Sequence, residues 1–219
     1  MSSECYPNGF AASSLVFNHI PKTGGTSIEK AHEIPIPAAQ RCATALGGIS
    51  ATNKHCLHTR ATAREPDTEY WCVVRDPLDR AISTYRMATR TLDGVYRRRA
   101  VPYTDDGRCD PDDAHSWIAD MITRGDIDNH DVPQSEYHCD YPLCFDRLSD
   151  DVESFASDHN LMIGDLPYHD WGSSSAKGST CRRDDLHDRT IKMIREAYAD
   201  DEELYNKTCI APLLTSDRR

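Results

Sequence analysis

Residues 14–30, SLVFNHIPKTGGTSIEK, constrain the fold more than any other stretch of the chain. Leu15, Val16 and Phe17 form a short apolar run without polar alternation, the pattern of a buried strand. Pro21 ends the run, and the pair Gly24-Gly25 permits a sharp turn and a close backbone approach. Thr26 and Ser27 stand where a helix cap is expected, ahead of an amphipathic segment. A strand, a glycine turn and a helix N-terminus present several backbone N–H groups to an anion. Lys22 adds a positive charge, and Thr23, Thr26 and Ser27 add hydroxyl donors. Pro21, Lys22, Thr23, Gly24, Gly25, Thr26 and Ser27 therefore read together as a phosphate cradle. Taken alone, the same residues also fit an ordinary strand–turn–helix with an exposed lysine. The common nucleoside-triphosphate loop is excluded, because G-x-x-x-x-G-K-[ST] places lysine directly after its last glycine. Here the lysine comes two residues before the glycines.

Residues 70–86, YWCVVRDPLDRAISTYR, supply a second anion site. The apolar run 70–74 reads as a buried strand and leads into Arg75-Asp76-Pro77, with Pro77 suited to the first turn of a helix. Leu78, Ala81, Ile82, Tyr85 and Ala88 recur at helical spacing to about residue 91. Arg75 falls at the C-terminal end of its strand, where open α/β sheets place ligand-binding groups. Its guanidinium offers a planar fork to a phosphate, and Ser83 adds a hydroxyl if the helix packs back.

Elsewhere, helices are expected at 38–48, 114–123, from Asp150 (with Glu153 as its capping partner) to 157, and at 185–198. Short strands are expected at 143–145 and 161–164, and an irregular loop at 126–141. The acidic run 200–203 precedes a short contact through Leu204 and Tyr205. With no internal repeat or domain-sized linker, residues 1–219 read as a single domain. Strands alternating with helices predict an α/β layered fold around a mostly parallel sheet.

A net charge of −11 argues against broad binding to nucleic acid or anionic membranes, which want a basic surface. No stretch approaches the roughly 20 apolar residues of a membrane span. The first fourteen residues lack the basic-then-apolar pattern of a signal peptide. Nine cysteines and the sequon Asn206-Lys207-Thr208 point instead toward a lumen, so the compartment stays open. Cys139 and Cys144, in HCDYPLC, are candidates for a local disulfide or for none.

His19–Ser27, HIPKTGGTS, and Val74–Tyr85, VRDPLDRAISTY, resemble the two donor-binding motifs of the membrane-type carbohydrate sulfotransferases. That group includes the heparan sulfate 2-O- and chondroitin 4-O-sulfotransferases and uses 3′-phosphoadenosine 5′-phosphosulfate (PAPS). Weaker echoes lie at 129–134, 145–148 and 194–204. The resemblance implies a P-loop nucleotide-kinase-like, three-layer fold and sulfuryl transfer from PAPS to a carbohydrate hydroxyl, with adenosine 3′,5′-bisphosphate (PAP) as product. It also implies a Golgi-lumenal setting and no metal. Residues 21–27 would hold the 5′-phosphosulfate, Arg75 and Ser83 the 3′-phosphate, and Lys22 would stabilise the leaving oxygen. The family's H-x-H pair, in the interval between the motifs, corresponds to the H-x-x-H of His55 and His58. Either is a candidate general base, His58 ahead of His55, with His130 and Glu29 as further candidates. Arg97, Arg98 and Arg99 suit an acidic glycan or a solvated face. Lys177, Arg182 and Arg183 fall where family members often bring a loop over the nucleotide, and fit a mobile surface loop equally well. A small-molecule or nucleotide kinase and a non-catalytic PAP-binding protein are the alternative classes.

Overall fold

The computed structural model describes residues 14–30, 64, 66–90, 109–124, 129–161, 166 and 181–216. Three parallel strands, β1 (Ser14–Phe17), β2 (Thr68–Val74) and β3 (Tyr141–Cys144), form a sheet in the order β1-β2-β3. Phe17 aligns with Trp71 and Val74 with Cys144, so the three C-terminal ends open on the same edge. The central strand is why 70–74 reads as an unbroken apolar run: Tyr70, Trp71, Cys72, Val73 and Val74 are all buried. Side chains alternate across a strand, and both faces of β2 are covered. Trp71 and Val73 pack with Phe17, Ile28, Leu143, Val152 and Phe155, whereas Cys72 and Val74 pack with Ile20 and Tyr137.

The helices are α1 (Gly25–Lys30), α2 (Pro77–Arg90), α3 (Pro111–Arg124), α4 (Leu148–Asp158), α5 (Asp188–Ala197), α6 (Ala199–Tyr205) and α7 (Ala211–Ser216). Two of them start by one device. Asp76 accepts from the N–H groups of Leu78 and Asp79, and Asp110 does the same for Asp112 and Asp113, with proline at the first helical position. A third apolar cluster joins α2, α3 and α5 through Leu78, Tyr85, Trp117, Ile118 and Ile194.

Several boundaries differ from expectation. The third strand ends at Cys144, because Phe145–Arg147 already turns as a 3₁₀ helix. Helix α4 begins at Leu148 rather than Asp150. No side-chain cap bond forms at its N-terminus; instead Asp151 reaches back from its first turn to accept from the Cys144 N–H (2.7 Å) and to pair with Arg147, tying the helix to the end of β3. The helix expected from 185 starts only at Asp188, as α5, because Asp185 still belongs to a 3₁₀ turn, Arg183–Asp185. Beyond Tyr198 the chain remains helical through α6, a π turn (Asn206–Ile210) and α7, where only a short contact was expected. Leu161 lies outside any strand, and 162–164, like the expected helix 38–48, falls outside the described residues.

Cysteine pairing is long-range. Cys72 bonds Cys139, Cys109 bonds Cys181, and Cys144 bonds Cys209, with Cα separations of 5.7, 4.6 and 5.2 Å. The local Cys139–Cys144 pair does not form, because each of these residues reaches a partner on another element.

Candidate functional site

The loop after β1 turns through two left-handed residues, Lys22 (φ 68°) and Gly24 (φ 89°). A non-glycine residue holds that conformation only where its surroundings over-determine it. Three bonds do so here. The Thr23 hydroxyl donates to the Ile20 carbonyl (2.8 Å), Arg80 Nε donates to the Pro21 carbonyl (3.0 Å), and Arg75 Nη1 donates to the Lys22 carbonyl (3.1 Å). Thr23 is buried, and the one proton of its hydroxyl serves the loop. The Ser27 N–H bonds the Gly24 carbonyl (2.9 Å), starting α1 directly from the turn. Thr26 and Ser27 sit half-buried in that first turn.

Gly25 is required by close packing and Gly24 by its left-handed backbone. A Cβ at Gly25 would lie 2.4 Å from the His19 ring, and one at Gly24 would lie 3.0 Å from the Phe145 ring. His19 is thus a buried imidazole laid across the start of α1.

Arg75 follows β2 directly, and its side chain crosses to the β1 loop. The guanidinium carbon sits 4.3 Å from the centre of the Phe145 ring. Burial lowers its pKa, with Asp79 and Asp146 opposing and Arg86 reinforcing the shift. An arginine still carries its charge after such a shift. Its backbone is bracketed by the Gln134 amide: the Arg75 N–H donates to Gln134 Oε1 (2.9 Å), and Gln134 Nε2 donates to the Arg75 carbonyl (2.8 Å). Gln134 is held in turn by Asp201 of α6, whose carboxylate accepts from the N–H groups of Gln134 and Ser135.

The two sequence motifs, fifty-three residues apart at Lys22 and Arg75, therefore meet in a direct hydrogen bond. Ser83 lies half-buried on α2, four residues after Asp79 and three before Arg86, which places the three on neighbouring turns. Arg183 bridges Asp76 and Asp79, each at 3.1 Å, so the segment after Cys181 docks against the start of α2. Next to Phe145 in the chain, Asp146 accepts from the Tyr205 hydroxyl (2.6 Å), and burial together with that bond pushes the Tyr205 pKa up.

Among the other expected residues, His130 is 2 % exposed within the stretch before Gln134. Glu29 belongs to α1. His55, His58, Arg97, Arg98, Arg99 and Lys177 lie outside the described residues. Arg182 is exposed. Cys144, Asp146 and Cys209 bring potential ligand atoms within 4.8 Å of one another, but the two sulfurs are bonded to each other. A thiolate ligand is not available from that pair.

Sequence reasoning did not single out His19, Arg80, Gln134, Phe145, Asp201 or Tyr205 as site residues. The spacing Asp76-x-x-x-Arg80 on a capped helix was visible, but the carbonyl that Arg80 serves belongs to a distant loop. In comparisons with known proteins, a family model described as the sulfotransferase family matches residues 11–208. No curated protein and no solved structure matches.

Proposed function

The chain belongs to the sulfotransferase family, and on that premise we propose that it moves a sulfuryl group from PAPS to a hydroxyl of a carbohydrate acceptor. The observation that carries this reading is the Arg75–Lys22 bond at the C-terminal edge of the parallel sheet. It joins a backbone-rich loop suited to a 5′-phosphosulfate to a half-buried cation suited to a 3′-phosphate. A guanidinium carries five N–H donors, so serving the Lys22 carbonyl leaves the fork able to take a phosphate as well.

Lys22 stabilises charge on the bridging oxygen as the bond to sulfur breaks. The backbone of Gly24, Gly25, Thr26 and Ser27, with the latter two hydroxyls, holds the 5′ end. Arg75 and Ser83 hold the 3′-phosphate and so distinguish PAPS from nucleotides lacking it. A histidine, His58 or His55, removes the proton of the acceptor hydroxyl as its oxygen attacks sulfur and PAP departs in line. The β1 loop, set between a parallel strand and the start of α1, supports a P-loop-like reading of the donor site. Three disulfides among the described residues support an oxidising compartment such as the Golgi lumen.

Calorimetric titration with PAP, ADP and Mg·ATP tests the donor site. Wild-type protein is expected to bind PAP without metal and ADP only weakly. Arg75→Ala should lose roughly 10- to 100-fold in PAP affinity, the worth of charged hydrogen bonds. Equal affinity for ADP, or a preference for Mg·ATP, sinks the proposal. With PAP binding established, turnover of His58→Ala and His55→Ala on an acceptor panel assigns the base.

A further inference from the structure

Asp201 belongs to neither donor motif, yet it is completely buried. A buried carboxylate is costly unless it is paired and fully hydrogen-bonded. Its Oδ2 accepts from the Gln134 N–H (2.8 Å), and its Oδ1 accepts from the Ser135 N–H (2.9 Å) and hydroxyl (2.8 Å). Arg80 Nη1 lies 3.8 Å from Oδ2, and Arg80 is itself 3 % exposed.

Two arms run from these partners into the site. Through Gln134, whose side chain brackets the Arg75 backbone on both sides, one arm ends at the proposed 3′-phosphate ligand. Through Arg80, whose Nε holds the Pro21 carbonyl, the other ends at the proposed 5′-phosphosulfate loop. Arg80 Nη2 is buried with no hydrogen-bond partner among the described residues, where the guanidinium is held by the Pro21 carbonyl and the Asp201 charge.

We infer that Asp201 is a positioning residue that sets the separation and orientation of the two anion-binding arms. The inference rests on reading Arg75 and the β1 loop as the donor site. A ligand with two anionic ends must match that separation, whereas a ligand with one does not. Asn at position 201 keeps the volume, presents an N–H₂ where backbone N–H groups need an acceptor, and removes the charge facing Arg80.

The test compares Asp201→Asn, Arg75→Ala and the double variant by calorimetry with PAP and with adenosine 5′-monophosphate. Asp201→Asn is expected to weaken PAP binding about tenfold and monophosphate binding at most about twofold. Because only the Gln134 arm acts through Arg75, the loss of PAP affinity caused by Asp201→Asn should shrink from about tenfold to about twofold when residue 75 is already alanine. Equal losses for both ligands, or losses that add in the double variant, overturn the inference and make Asp201 a structural residue only. If Asp201→Asn fails to fold, Gln134→Glu carries the same comparison, since it keeps the acceptor for the Arg75 N–H and loses the donor to its carbonyl. Unchanged, or equally weakened, binding of both ligands in that variant also overturns it. Wild-type protein that binds neither ligand defeats the donor-site reading and this inference with it. Wild-type binding of PAP with an unaffected variant defeats the inference alone.

Discussion

At position 25 the absence of a side chain is a packing requirement. The His19 ring occupies the space a Cβ would take, at 2.4 Å, and His19 is itself buried. Gly25→Ala must therefore push the imidazole out of place or shift the start of α1. Overpacking of this kind costs about 1–3 kcal/mol, and urea unfolding of the variant should show a loss in that range. PAP affinity should fall as well, because the moved backbone is the proposed cradle. A variant as stable as wild type would mean that the ring has somewhere else to go. Position 24 is constrained differently. Its φ of 89° disfavours any L side chain, and the Phe145 ring closes the space from the other strand end.

The element that most changes the picture of the site is the C-terminal helical run. It is attached through Asp201, the Tyr205–Asp146 bond and the Cys144–Cys209 disulfide, with Arg147 Nη1 donating to the Cys209 carbonyl at 2.8 Å. That disulfide closes a separation of 65 residues. Loops of this length make a disulfide worth about 2–5 kcal/mol, chiefly by restricting the unfolded chain. Replacing both Cys144 and Cys209 by alanine should lower stability by that order. Amide hydrogen exchange should rise first over 199–210, while α2, α3 and α5, held in their own apolar cluster, stay protected. Exchange that rises equally in α3 would show that the bridge does not act as a local anchor.

For the molecule as a whole, one contribution to acid stability comes from a tie at the N-terminal ends of β2 and β3. Asp140 accepts from the Tyr70 N–H at 2.8 Å and pairs with Arg64, which also donates to the Thr68 carbonyl. The Arg64 hydrogen bond, ahead of the Tyr70 N–H, holds the Asp140 carboxyl below its usual pKa. A depressed carboxylate contributes stability above its unfolded value of about 3.9, and that contribution is lost as pH falls through the folded value. Asp140→Asn should therefore be less stable at neutral pH and should show a flatter decline below about pH 4, read from urea midpoints across the acid range. A variant with the wild-type slope would remove Asp140 from the acid limb. Features set by near neighbours in the chain were legible without the fold. The apolar runs of β1 and β2, the Asp76-Pro77 helix start and the glycine turn each depend on residues a few positions apart. The residue order of the two proposed donor motifs belongs to that class. Asp201 reads locally as one more solvated acid in an acidic run, and Cys139 as a neighbour of Cys144. Only the packed molecule buries the first against Arg80 and joins the second to Cys72. Local periodicity records which face a residue takes, whereas burial and pairing depend on which distant segment arrives at that face, and that is decided when the sheet and its covering helices close together.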